Sequence, residues 1–225
     1  MMNNTNFNRT QTGFSLVEMA IVLAIVGLLL AGLLPTISSQ IEQQRRNETR
    51  KQMDEIKEAL IGFAIINGRL PCPATATDPG DARYGVEDAS CPTGSADGYL
   101  PWKTLGVPEN DAWGSKRSGM GDPWTGYWRY RVDRNFTTAF SLTTPFSSTD
   151  SLVIQNSSGN TLTTTTERPV AIVFSTGANL TADGQNAIYD GIYQSDVPSS
   201  TFDDMVIWIS RPQLFNRMVT AGKLP

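Results

Sequence analysis

The chain has 225 residues, 40% of them hydrophobic, a formal net charge of −4 and no histidine. The missing histidine removes the commonest general base and the commonest zinc ligand, and two cysteines offer little to a soft metal. The basic cluster Arg45, Arg46, Arg50 and Lys51 is interleaved with Glu48, Asp54 and Glu55, which argues against nucleic acid as a partner.

Taken in chain order, a polar stretch from Met1 to Gly13 has Arg9 as its only charge, and an apolar run from Phe14 to Leu34 follows, long enough to span a bilayer. The run carries one carboxylate, Glu18, in its first turn. A buried carboxylate in hydrocarbon is costly, so Glu18 either reaches back to the headgroups of a plain signal anchor or has a purpose of its own. A secretory signal would have a shorter apolar core with small residues after it, so cleavage behind the run is not indicated. Past Pro35 the pattern becomes amphipathic: Ile37 and Ile41, then Met53, Ile56, Leu60 and Phe63, recur at three and four. The intervening "EQQRRNETRKQ" has no apolar residue and reads as a solvated or subunit-facing surface. Asn67-Gly68 is the expected stop. A helix from about 14 to 67 would be about 80 Å long.

From Arg69 to Gly126 glycine, proline and aspartate are dense, the mark of a loop-rich connector. Strands are expected at 127–133, 150–156, 161–167, 169–175 and 205–210, with "NSSGN" as a hairpin turn. The short connections predict antiparallel pairing, with one face of the sheet against the helix stripe. The class is therefore α+β. The tail "SRPQLFNRMVTAGKL" predicts a closing helix with Ser210 as N-cap, Pro212 in its first turn and Gly222 near its end.

The stretch Gly13-Phe14-Ser15-Leu16-Val17-Glu18, heading an apolar helix that reaches Pro35, resembles the prepilin signature of type IV pilins and type II secretion pseudopilins. The resemblance implies a pilin-like fold: a long N-terminal helix, half transmembrane and half amphipathic, packed on an antiparallel sheet. It divides the chain into a leader 1–13, a transmembrane half 14–35, an amphipathic half 36–67 and a periplasmic or extracellular β-rich domain 68–225. Prepilin peptidase would cut after Gly13 and methylate Phe14, giving N-methylphenylalanine. Glu18 would then neutralise the new amino terminus of a neighbouring subunit, a pairing favoured in low dielectric. The implied function is a structural subunit of a type II secretion pseudopilus or a type IV pilus. Its partners would be other copies, related pilins, the peptidase and an inner-membrane assembly platform. It would start in the bacterial inner membrane as a single-pass protein with its C-terminal domain in the periplasm. On that topology Cys72 and Cys91 are expected to form a structural disulfide.

Two further stretches are similar to the major pseudopilin. "GDPWTGYWRYRV" matches its Asp-Pro-Trp-Gly-x-x-Tyr-x-Tyr segment through Asp122, Pro123, Trp124, Tyr127 or Trp128, and Tyr130. "VFSTGANLTADGQ" followed by "FDDMVIW" resembles that family's calcium loop. The resemblance implies bound calcium, with carboxylates from Asp183, Asp203 and Asp204 and an oxygen from Asn179 or a carbonyl near Gly177. Leu180-Thr181-Ala182 interrupt the pattern and the stretch from Ala187 to Thr201 is long, so either Asn179 or Asp183 fills the matching place. The alternative reading makes these aspartates turn residues that bond their own backbone.

Two other functions compete. The Ser/Thr-rich stretch from 131 to 167 suits a minor or tip pilin with an adhesive role. A membrane-anchored envelope binding protein would use Trp102, Trp113, Trp124 and Trp128 on sugars, although aromatic residues of this kind more often belong to a core. No Ser/His/Asp set, phosphate loop or metalloprotease motif is present in the sequence, and we read no enzyme here.

Overall fold

The first element, α1, runs from Leu16 to Asn67 in the computed structural model, which describes residues 13, 15–91, 98–188 and 190–224, with the side chains of 30–37 left aside. Residues 1–12 of the expected leader and Phe14 lie outside the described residues. The chain divides into two compact units, Met1–Gln43 and Gln44–Pro225.

In the first unit, α1 opens on a reciprocal cap. The Glu18 N–H donates to Ser15 Oγ and the Ser15 N–H donates to Glu18 Oε2, both at 3.1 Å. This Ser-x-x-Glu arrangement satisfies two of the amides that every helix start leaves open. The side chains that follow are exposed: Leu16 is 88% exposed, Leu23 65% and Leu28 78%. Among the described residues no helix is long and apolar enough to cross a membrane. The expected span of 14–35 includes Phe14 and the side chains of 30–35, which are outside that description.

In the second unit, α1 buries Thr49, Met53, Ile56, Leu60, Ile61 and Ala64. These recur at the three- and four-residue spacing of one helix face. Phe63 is only half-buried, with the Arg69 guanidinium over its ring at 5.3 Å. Ile61 and Ala64 take its place in the core. Gly68 ends the helix at φ +71 and donates its N–H to Ala64 O, the left-handed closure expected of Asn67-Gly68.

The connector holds β1 (Gly98–Tyr99) and the one-turn α2 (Trp102–Leu105). Next come β2 (Arg129–Val132), β3 (Val153–Gln155), β4 (Pro169–Ser175), β5 (Ile192–Gln194), β6 (Met205–Ser210) and α3 (Arg211–Thr220). The strands β1, β2, β4 and β6 form an antiparallel sheet in the order β1-β2-β4-β6. All seven residues of β4 are buried. Val170, Ala171 and Val173 pack with Met53, Ile56 and Leu60 of α1 and Leu214 and Met218 of α3. Ile172 and Phe174 pack with Leu152, Ile154 and Tyr193. One face of the sheet meets α1, and β4 is covered on the opposite face as well; the unbroken apolar run of "PVAIVFS" is the sequence form of that burial.

Two expectations fail. β3 and β5 pair in parallel, outside the main sheet. The segment 161–167 is no strand: Thr161 makes one isolated bridge to Gln155, and Thr164, Thr165 and Thr166 are exposed. Threonine favours strands only where its side chain packs on a neighbour, and this run has no apolar alternation to bury. "NSSGN" does turn, with the Gly159 N–H on Asn156 O and the Asn156 N–H on Asn160 O. α3 is capped as expected, Ser210 Oγ accepting the Gln213 N–H.

Polar and covalent links hold the connector where apolar residues are sparse. Cys72 and Cys91 form a disulfide. The Arg69 guanidinium grips both oxygens of Glu87 at 2.8 and 2.9 Å, and Glu87 also accepts the Cys72 N–H. Trp128 is buried, and Trp102, Trp113, Trp124 and Trp208 are half-buried. Trp128 is 1% exposed in the core, Trp124 stacks on Tyr99 at 4.2 Å with Arg117 over its ring, and Trp102 meets Tyr84 edge-on. Trp128, buried in the core, offers no open platform for a sugar.

Candidate functional site

The loop after β4 and the residues just before β6 meet because those strands are neighbours in the sheet. That juxtaposition brings Asp183 to Asp203 and Asp204, twenty residues away along the chain. One carboxylate oxygen from each lies within 4.8 Å of the other two. Oxygens bound to one calcium ion at about 2.4 Å can be at most about 4.8 Å apart, so the spacing suits a shared ion.

The backbone builds the cradle. Ala178 and Asn179 donate their N–H groups to Asp203 Oδ2 at 2.8 and 3.1 Å. Asp183 donates its N–H to Asp204 Oδ2, and Asp203 donates its N–H to Asp183 Oδ2, both at 2.9 Å. Gly177 sits at φ +63, where a Cβ would come within 2.5 Å of the Asp203 carbonyl oxygen and 2.7 Å of its carboxylate. Only glycine lets the chain pass there. Leu180 also takes a positive φ, +61, which is strained for a branched side chain.

Within this cradle Asp203 Oδ1 and Asp204 Oδ1 are buried without a hydrogen-bond partner. Asp203 and Asp204 are 8% and 3% exposed. Burial pushes the Asp203 carboxyl above its ordinary value against the pull of the Asn179 and Ala178 amides, and nearby Asp183 adds to the rise. Burial raises Asp204 more, to about 7, with Asp183 and Asp203 contributing repulsion. Two unpartnered, desolvated oxygens beside a third carboxylate make a donor set that fits a hard divalent cation.

Asn179 is placed differently from Asp183. Its Nδ2 donates to both Asp183 oxygens at 3.0 Å, while its Oδ1 accepts from Thr181 N and Oγ1. Its side-chain oxygen is therefore used within the loop, and Asp183 fills the acidic corner. Asn186 also belongs to the site, donating to Asp204 Oδ2 at 2.9 Å and to Gln194 O. Sequence reasoning missed it, since nothing in "DGQNA" separates a positioning amide from a turn residue. The long stretch 187–201 is explained by β5, whose Gln194 closes on Asn186.

At the other end of the chain Gly13 is exposed and Phe14 lies outside the described residues. Glu18 is exposed and engaged by Ser15.

Residues 8–34 match the family model described as the prokaryotic N-terminal methylation motif, the signature of type IV pilins and pseudopilins. No curated protein and no solved structure matches the chain. The motif supports a pilin-like substrate of prepilin peptidase, and it fits membrane-anchored pilus subunits.

Proposed function

We propose that this protein is a structural subunit of a type II secretion pseudopilus or a type IV pilus with a pilin-like fold. The observation that carries the reading is the methylation motif at 8–34 heading a helix whose apolar side chains from Leu16 to Leu29 are left uncovered. Uncovered apolar surface of that extent calls for lipid or for other copies of the same helix. Prepilin peptidase cuts after Gly13 and methylates Phe14. Glu18, which caps its own helix, also pairs with the amino terminus of the next subunit as the filament grows. Mass spectrometry of assembled protein should find a chain that begins with methylated Phe14. Glu18→Val should insert and fold yet give few sheared filaments. An intact leader in filaments, or normal filament yield from the Glu18 variant, would overturn the reading.

The second reading, a minor or tip pilin with an adhesive role, is favoured by the exposed Thr164, Thr165 and Thr166 on a segment that adds little to the core. Abundance in sheared filaments separates the two.

The cation loop completes the proposal. Asp183, Asp203 and Asp204 would hold calcium, which when bound supplies the positive charge that three adjacent carboxylates lack. Its role is to fix the loop ahead of β6.

A further inference from the structure

The turn that holds Asp203 does not end at the aspartates. The Gly177 N–H donates to Ser175 Oγ at 3.1 Å, and Ser175 Oγ donates in turn to Asp111 Oδ2 at 2.5 Å. Asp111 Oδ1 accepts the Trp113 and Gly114 N–H groups, both at 2.9 Å, so the carboxylate organises the turn 111–114. Within that turn the Ala112 N–H donates to Thr49 Oγ1 of α1 at 3.3 Å. The side chains that carry the chain of bonds are buried: Ser175 and Thr49 are 0% exposed and Asp111 4%.

The links from Gly177 to Ser175, from Ser175 to Asp111 and from Ala112 to Thr49 are each one directional bond. Ser175 has one hydroxyl proton, which goes to Asp111, so its lone pair is what receives Gly177. Asp203 lies close beside Gly177, its carbonyl and carboxylate occupying the space where a Cβ would stand. A shift of Asp203 therefore moves Gly177, and Gly177 can keep its bond only if Ser175 and Asp111 follow. Buried groups that lose a partner cost free energy, so following is favoured over breaking.

We infer that cation binding at Asp183, Asp203 and Asp204 is transmitted through Ser175 and Asp111 to Thr49, so that the state of the loop sets the firmness of α1 at its Thr49 turn. The inference rests on the proposed calcium site and deepens it: Ser175 and Asp111 are positioning residues, too remote in role to ligate, that link the loop to the helix. Without a cation, repulsion among the three aspartates loosens the turn 177–179. With one, Asp203 is pinned and the relay is drawn tight. α1 is the proposed assembly element, so a subunit that has not bound its cation would present a softer helix.

Hydrogen exchange followed by mass spectrometry, on the full chain in detergent, tests this in millimolar calcium against chelator. Calcium should slow the amides of 177–183 and 203–204, and also those of 111–114 and of α1 from Thr49 to Met53, by at least about fivefold, the low end of coupling between linked sites. Ser175→Ala should keep the slowing at 177–183 and lose it at 111–114 and 49–53. Thr49→Val, which keeps shape but removes the acceptor, should keep it at 111–114 and lose it only on α1. If the native chain shows slowing at the loop alone, the relay is refuted and the calcium site stands. If calcium slows nothing, the calcium site fails and the relay with it. Remote slowing that survives in Ser175→Ala also refutes the relay.

Discussion

Two apolar stretches of this chain meet opposite fates. "LVEMAIVLAIVGLL" at the head of α1 stays exposed, while "PVAIVFS" in β4 is buried at every residue. Both are rich in valine, isoleucine or leucine, and hydropathy does not tell them apart. β4 has neighbours on all sides: β2 and β6 in the sheet, α1 and α3 on one face, β3 and β5 on the other. The apolar side chains at the head of α1, Leu16 to Leu29, are exposed. On the proposed reading lipid or other subunits cover them, so a change there should act on assembly and a change in β4 on folding.

The sharpest test of the buried side is Val173→Asp. Val173 is 2% exposed, opposite Tyr130 in β2 and Ile207 in β6. A charge at this place has no partner, and the cost should exceed about 4 kcal/mol, enough to abolish a marginally stable fold. Circular dichroism of the full chain in detergent should show the β signal lost, with helix retained at the apolar head.

A smaller effect is expected in the connector, where neither kind of apolar stretch occurs. Cys72→Ser opens a loop whose disulfide should contribute roughly 2 to 5 kcal/mol. The Arg69–Glu87 pair and its bond to Cys72 N link the same two segments, which places the loss near the lower end. Urea unfolding with and without the substitution measures it.

The sequence made β4 and β6 legible to the residue because continuous β-branched runs bounded by polar residues have few alternatives. α3 was equally plain from Ser210, Pro212 and Gly222. β5 was not, since "IYQ" is too short for a period and is ordered by a parallel partner 39 residues earlier. Thr164, Thr165 and Thr166 form no strand because a preference for strand counts only where the side chains pack on a neighbour, and these are exposed. At the site the three aspartates were readable as a family pattern. The part of Asn186, the inward amide of Asn179 and the reach of Ser175 to Asp111 depend on contacts that no spacing records.

Acid should act on the cation loop in a direction opposite to its usual effect on carboxylates. Burial holds the Asp204 carboxyl at about 7 in the folded, cation-free chain, against about 4 when unfolded. The folded state then binds the proton more tightly than the unfolded one. Its contribution to stability is complete below about pH 4 and is lost as pH rises through 7. In chelator the Tm should therefore fall as pH is raised across that window, by a few degrees. Protons compete with calcium for the same oxygens, so the Tm gain from calcium should grow with pH over the same range. Parallel curves in calcium and chelator would dissociate Asp204 from the cation.

The least effect on folding is expected where the comparison began. Leu23 is 65% exposed on the head of α1 and belongs to no core cluster. Leu23→Ser removes apolar surface that nothing in the fold covers, so unfolding of residues 44–225 should shift by less than about 0.5 kcal/mol. The same change takes a leucine from the surface that lipid or neighbouring helices would cover, at a cost of about 1.5 to 3 kcal/mol for each fully buried side chain. In a filament that cost recurs in every subunit, so the yield of sheared filaments should drop even though each subunit folds as before. If instead Leu23→Ser lowers the stability of 44–225 as a core substitution does, the exposed run has a covering within the chain, and the contrast with β4 disappears.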